Sequence, residues 1–436
     1  MEKNILQKYF RGGILMKKNN IGSFLLITLI YVFGALIALF TKVSIKDVMS
    51  NYQYNVLIIL IVMELFTNLI SSTGIMEMLS IKLAILSKGN KKLILVLFGL
   101  LMFFISAFLN NITAVMMILP IIFVLLKTIG TNKRYLNLFF ATILALSNTG
   151  GASSPIGDFP AIVIMNSGIT SFLGYLIRAF PLFLITSILL IIWWSFKIKD
   201  EKKEEAQKKL SIDLLKSRYK NLVVRKDVLI GLLIIFLFMF LGWSFVPQEM
   251  IPSEIIAVLG YVIAMLYCKI KNVNIVQEIN FKPVLTISSF LFLAGIISNT
   301  GILNEIALYL QNNITNPKYL LIVIMFITSI VSGLFGAGPA ASAMMPVIIN
   351  LCSTTFTSQS NWVAIAYAAS ICAGSSLFMW SATAGFILSK EINMTSLKDS
   401  DNVKSLTWNI IDYFKYGIQN YFIQILVAII TIYVIL

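Results

Sequence analysis

The chain has 436 residues, 58% of them hydrophobic and only 12% charged, with a mean hydropathy of +0.89. Soluble proteins carry roughly 25% charged residues, so a soluble fold is excluded, and recurring apolar runs of about 20 residues mark a polytopic membrane protein. The net charge of +15 reads as basic cytoplasmic loops rather than a nucleic-acid footprint, and a chain with no histidine and three scattered cysteines offers no imidazole chemistry, no metal-ligand spacing and no catalytic constellation.

Residues 1–20 are polar and basic and read as a cytoplasmic N-terminal segment, with MKKNN at Met16 a second plausible start of translation. Residues 21–196 form a first transmembrane repeat, 197–227 a basic cytoplasmic linker, 228–252 a connecting span and 253–436 a second repeat. Complete crossings are expected at about 21–40, 54–72, 135–165, 170–196, 228–246, 253–268, 283–299, 362–388 and 417–436. Two further apolar segments are interrupted at their centres, Lys92–Lys127 by LNNIT and Tyr319–Asn350 by FGAGPAA. With the N-terminus inside and both segments folded as re-entrant hairpins, only Lys42, Lys46, Arg178 and Lys318 fall toward the outside. The other 30 of the 34 basic residues fall inside, eleven of them in Lys197–Lys226. That bias is the positive-inside pattern of a multi-pass protein of the cell membrane.

The halves resemble each other. SAFLNNITAVMMILPII (Ser106–Ile122) aligns without gaps on SGLFGAGPAASAMMPVI (Ser332–Ile348), SSTG at Ser71 on SNTG at Ser298, and Ser147–Ile164 on Ser370–Ile387. Their offsets of 226, 227 and 223 are nearly one value. In the expected topology the two hairpins enter from opposite sides, so the fold class is an all-α polytopic membrane protein of two inverted repeats, each with a re-entrant hairpin and a broken helix. Transporters of that build bind their cargo near the midplane.

The chemistry concentrates in four polar islands. SNTGGASSPIGDFP (Ser147–Pro160) sits between apolar runs, where non-helical backbone must be buried in protein or line a cavity. Broken helices there expose N–H groups that attract anions and carbonyls that coordinate sodium. Ser147, Asn148, Thr149, Ser153 and Ser154 add neutral oxygens, and Gly150 and Gly151 permit close backbone approach. Asn110 and Asn111, with Thr113, stand at the first hairpin tip. Sodium is expected at Asn110, Ser147 and Asn148. The second tip, Gly336-Ala337-Gly338-Pro339 with Ser342 beyond it, offers backbone carbonyls. Ser370, Gly374, Ser375, Ser376, Ser381 and Thr383 line the second broken helix. Charged residues at membrane depth are few: Asp158, Glu64 and Arg178. Asp158 reads either as proton carrier or cation ligand, or as a helix cap; Glu64 as a proton carrier or as a scaffold residue paired with a polar neighbour; Arg178 as a side chain snorkelling outward.

FLNNITAVMMILPI, LSNTGGASSPIGDFPAIVI and SSLFMWSATAGFIL resemble the ion transporter superfamily of citrate and divalent-anion symporters, arsenite permeases and NhaD-type sodium/proton antiporters. The resemblance covers roughly residues 50–170 and 280–390. It implies a dimerising scaffold domain, a transport domain of hairpins and broken helices, elevator-like movement, a homodimer, and coupling to sodium or protons with no other cofactor. It places Asn110, Asn111, Ser147, Asn148 and Gly151 in a first ion and substrate site and Ser370, Gly374, Ser375 and Ser376 in a second. The tips depart from the superfamily: its symporters often carry Ser-Asn-Thr at both, and its antiporters Asp-Asn where Asn110 stands. The neutral islands favour cation-coupled transport of a small anion, a di- or tricarboxylate such as citrate. Sodium/proton antiport and arsenite or antimonite efflux remain the alternatives.

Overall fold

The structure, a computed structural model, describes residues 20–50, 52–198, 222–273, 281–395, 397, 399 and 405–435. The N-terminal segment before Asn20, with Met16, and most of the 197–227 linker lie outside the described residues. The described residues form eighteen helices and no strand. In chain order the first nine are α1 (Asn20–Thr41), α2 (Ile45–Ser50), α3 (Tyr54–Ser72), α4 (Ile75–Leu86), α5 (Lys91–Phe108), α6 (Asn111–Ile129), α7 (Lys133–Ala152), α8 (Phe159–Asn166) and α9 (Phe172–Ser195). They are followed by α10 (Lys226–Phe245), α11 (Ser253–Ile270), α12 (Phe281–Asn299), α13 (Ile302–Asn313), α14 (Pro317–Phe335), α15 (Ala337–Thr354), α16 (Ser360–Ser375), α17 (Gly385–Met394) and α18 (Ile410–Ile435). Among the described residues seven helices are long and apolar enough to cross a membrane: α3, α5, α9, α10, α11, α14 and α18.

The helix order α3–α9 recurs in α12–α18. The first six pairs begin 226 or 227 residues apart, and α4 and α13 are both 12 residues long. Each of these short helices, unforeseen from hydropathy, follows a left-handed glycine, Gly74 (φ +76°) or Gly301 (φ +80°). The repeated STG is therefore a corner: glycine takes the positive φ that ends the preceding helix and turns the chain. Both hairpins break where expected, at Leu109 and at Gly336 (φ +96°). The SNTGGASSPIGDFP island is less irregular than expected. Helix α7 continues through Ser147–Ala152, and only Ser153–Asp158 is non-helical. Helix α16 likewise runs through Ser370–Ser375. A buried backbone has few hydrogen-bond partners besides its own helix.

Local caps set several starts. Asn90, Asn110, Asn132, Asp158, Ser171 and Asn316 each accept a backbone N–H in the first turn of the following helix. Helices α7 and α16 form the centre: Leu138–Ala152 and Val363–Ser375 are buried without exception. Small residues let them pack closely in both halves. A Cβ on Gly150 would strike the Phe103 carbonyl of α5, and one on Gly374 the Ser329 carbonyl of α14.

Hydrogen bonds fix the helix directions. The Tyr135 hydroxyl donates to Lys91 O at 2.9 Å, so α5 and α7 start at one end. Lys133 Nζ pairs with Asp412 at 2.7 Å, so α18 starts there too. At the other end of α18, Lys318 Nζ donates to Tyr433 O at 3.1 Å, and Asn316–Lys318 share a surface hollow with Gln359. Helices α14 and α16 therefore start where α18 finishes, and run against α5 and α7. The 26 residues of α18 span about 39 Å at ~1.5 Å per residue. The hydrophobic core divides in two. One large cluster holds the hairpins and broken helices; a small one joins Ala38 of α1, Val48 of α2 and Phe292 and Ile296 of α12.

Candidate functional site

At the first tip the two asparagines have different roles. Asn110 caps α6, its Oδ1 accepting Ile112 N at 2.9 Å and Thr113 N at 3.4 Å. That oxygen is committed to the backbone, and Thr113 contributes its amide to the same cap. Asn111 is buried and donates through Nδ2 to Asp158 Oδ2 at 3.0 Å, while its own Oδ1 has no partner. Asp158 also caps α8, its Oδ1 accepting Phe159 N at 2.8 Å, and lies near the Thr383 side chain from the second half of the chain. The cap read for Asp158 is present, and the same carboxylate faces the tip. Gly151 is what allows the tip to come so close. A Cβ there would lie 2.7 Å from Asn111 Oδ1 and 2.9 Å from Asp158 Cβ.

The two broken helices meet through Asn148. Its Nδ2 donates to Ser376 Oγ at 3.1 Å, and its Oδ1 is buried without a partner, as is Ser147 Oγ. Ser376 Oγ also accepts Gln424 Nε2 at 3.3 Å, and the Ser376 carbonyl accepts the Tyr413 hydroxyl at 2.6 Å. Gln424 Nε2 donates to Asn420 Oδ1 at 2.6 Å, leaving Gln424 Oε1 and Asn420 Nδ2 unpartnered. Asn420 and Gln424 lie about 15 and 21 Å along α18 at ~1.5 Å per residue, near the middle of its length. Beside this node a cavity of about 10 Å³ is lined by Asn148, Asp158, Tyr175, Ala337, Cys372 and Ser375 among others. It has room for one water molecule or one dehydrated cation. Among the described residues no three His, Cys, Asp or Glu side chains form a metal cluster, so a cation held there would rest on neutral oxygens and Asp158.

The remaining expected residues are placed as follows. Gly338 packs its Cα against Phe159, where a Cβ would lie 3.2 Å from the ring, so the second tip touches the start of α8. Gly336 supplies the turn, and neither α15 nor α17 has a side-chain cap. Thr149 bonds Ser187 of α9 at 2.7 Å, and Ser370 bonds back to Ala366 O at 2.6 Å; both are turned to helix packing. Ser375 bonds Cys372 O at 3.2 Å, and Ser381 bonds Ser375 O at 3.0 Å across the second break. Ser153 bonds Gly150 O at 2.7 Å, and Ser154 bonds the Ala107 carbonyl beside the first tip. Ser342 Oγ is buried and unpartnered. Arg178 donates to Gly174 O at 2.9 Å and lies 5.4 Å from the centre of the Trp362 ring, bracing α9 against the start of α16. Glu64 lies partly buried in α3. Asn420 and Gln424 were missed by sequence reasoning. A partial signal was present, three amides (Gln419, Asn420 and Gln424) at membrane depth in α18, but nothing in it named Ser376 as their partner.

A model of the citrate transporter family matches residues 13–372, more than four-fifths of the chain. The chain belongs to the citrate transporter family. A "46 kDa membrane protein" of Mycobacterium leprae is 22% identical over 330 residues, 73% of this chain and 74% of its own length. An "uncharacterized transporter" of Mycobacterium tuberculosis is 23% identical over 307 residues, 69% of each chain. The magnetosome protein MamN of Magnetospirillum gryphiswaldense is 24% identical over 341 residues, 77% of this chain and 76% of its own. This member of the citrate transporter family is thus a multi-pass membrane transporter. The matched region holds the first tip, both hairpins and α7; it stops before Ser376 and α18, where the amide node is completed.

Proposed function

We propose that the protein is a secondary active transporter that couples sodium or proton movement to a small anion, a di- or tricarboxylate such as citrate. The observation that carries the reading is the junction at Asn148, where two interrupted helices meet through neutral polar groups and several oxygens lack partners. Such oxygens suit a cation, and the uncapped starts of α15 and α17 suit an anion. Family membership supports transport of an anion. The opposed directions of α5–α7 and α14–α16 support reading the two halves as inverted repeats. We place the protein in the cell membrane as a homodimer, N-terminus inside. One observation favours a second reading, sodium/proton exchange: Asp158 is an acid bonded to Asn111 at the first tip and near Thr383 of the second half.

The test is transport by purified protein in proteoliposomes under imposed sodium or proton gradients, with Asn111→Ala and Asp158→Asn beside the unmodified chain. Concentrative citrate uptake driven by the cation and lost in Asn111→Ala is the expected result. Absence of carboxylate uptake, with sodium-driven proton movement abolished by Asp158→Asn, overturns symport in favour of exchange.

A further inference from the structure

A second cavity lies away from the broken-helix junction. It has a volume of about 510 Å³ and runs between α12 on one side and α15 on the other, with Val48, Tyr52 and Gln53 also in its lining. That is the size range of pockets that enclose small organic ligands. Its polar lining is neutral throughout: Gln53, Ser298, Asn299, Ser342, Asn350 and Ser353. Two of these side chains point to a ligand of their own. Ser342 Oγ is buried with no partner, and so is Gln53 Oε1.

The two walls pack against each other but are backed differently: Leu291 of the α12 wall joins the large cluster, and the rest of that wall leans on other helices. The α12 wall is tied to the small cluster of α1 and α2. Tyr52 and Tyr31 both bond the Ser288 side chain at 2.7 Å, and a Cβ on Gly295 would lie 3.0 Å from Val48. The α15 wall, through Met345, Val347 and Ile348, belongs to the large cluster with the broken helices. The crevice follows α15 from Ser342, six residues past the second tip, to Ser353 at the rim, about 16 Å at ~1.5 Å per residue. Its rim lies on the face that carries Asn316 and Lys318, since α15 ends beside the starts of α14 and α16.

We propose that this crevice is the external access port and first binding subsite for the transported anion, with Ser298 and Asn299 on one wall and Ser342 and Asn350 on the other bonding its oxygen atoms. The inference rests on the anion-transport reading for its ligand, on the inside N-terminus of that reading for its side, and on the geometry for its position. It is tested by introducing Ser298→Cys and Ser353→Cys separately and labelling right-side-out membrane vesicles with an impermeant, negatively charged methanethiosulfonate. The native cysteines, Cys268, Cys352 and Cys372, are all buried and give the background. Both variants should label at least tenfold faster than the native chain, and 10 mM citrate (a concentration of the assay) should slow Ser298→Cys at least threefold. Native-level labelling of both variants, or labelling only in inside-out vesicles, overturns the port. Ser298→Trp, which fills the crevice from its wall, should abolish uptake while eluting as a monodisperse protein; retained uptake overturns the port even if the cysteine variants fold poorly. Rapid external labelling that citrate does not slow, joined to absence of citrate uptake in proteoliposomes, upholds the port and counts against the carboxylate reading alone.

Discussion

Replacing Gly151 by alanine tests whether the close approach of the first tip underlies both the site and its stability. The added Cβ would stand 2.7 Å from Asn111 Oδ1, 2.8 Å from Asn111 Nδ2 and 2.9 Å from Asp158 Cβ. Ordinary contact begins near 3.4 Å, so the tip must retreat by 0.5–0.7 Å. Asn111 cannot simply swing aside, because it is 1% exposed and donates to Asp158 Oδ2. Losing a hydrogen bond to a buried charged group costs about 1.5–3 kcal/mol, and alanine's higher helix propensity returns about 1 kcal/mol. A net loss of about 0.5–2 kcal/mol is expected, seen as a lower thermal midpoint of the purified protein. Uptake should fall at least tenfold, since a displacement of this order misplaces ligand groups. Native uptake at an unchanged thermal midpoint would refute the argument that the tip is held against α7 at this glycine.

Three further outcomes follow from the same geometry. Gln424→Leu should destabilise by about 1–3 kcal/mol because Asn420 is left with a buried unpartnered amide, and Asn420→Leu with Gln424→Leu should recover part of that loss; additive losses in thermal unfolding would count against a paired node. Asp412→Ala should cost more than Lys133→Ala, since Asp412 accepts from Lys133, Asn137 and Asn409 N, whereas the part-exposed lysine gives up a salt-sensitive ion pair of about 0.2–1 kcal/mol and its bond to the Thr407 carbonyl. Asp158→Ala should lose the α8 cap, about 1 kcal/mol, and Asp158→Asn should keep it, so thermal unfolding separates capping from charge.

Much of the architecture was legible because it is local. Apolar run length marks the spans, and LNNIT and FGAGPAA mark the hairpin breaks to within a residue or two. Asn110 and Asp158 precede helices in the way capping residues do. What was not legible depends on distant partners. Glycine stands at 150 and 151 of α7 because α5 and the tip press on those positions, and nothing within SNTGGASS discloses Phe103 or Asn111 as neighbours. Asn420 and Gln424 became meaningful only when Ser376, folded from 48 residues upstream, met them. Helices α4 and α13 are 12 residues long, too short for a span criterion of about 20.

The two halves share a fold but not a charge arrangement, and this leads to a separable expectation. In the first half the starts of α6 and α8 are occupied by the Asn110 and Asp158 side chains, with Asn111 Oδ1 and Asn148 Oδ1 left over as acceptors. In the second half the starts of α15 and α17 carry no side-chain cap, and Ser342 Oγ is unpartnered. Helix starts bear about half a positive charge, which an acidic cap offsets and an absent cap leaves available. A cation is therefore expected at the first half and the anion at the second. Asn111→Ala should raise the sodium concentration for half-maximal citrate uptake at least tenfold, with little change in citrate half-saturation once sodium is saturating. Ser342→Ala should raise citrate half-saturation severalfold at every sodium level. Binding linkage is reciprocal, so each variant will perturb the other ligand below saturation, and only the saturating limits distinguish the sites. Equal effects of both variants on both limits would mean that cation and anion share one site, and that the asymmetry of the caps has no functional consequence.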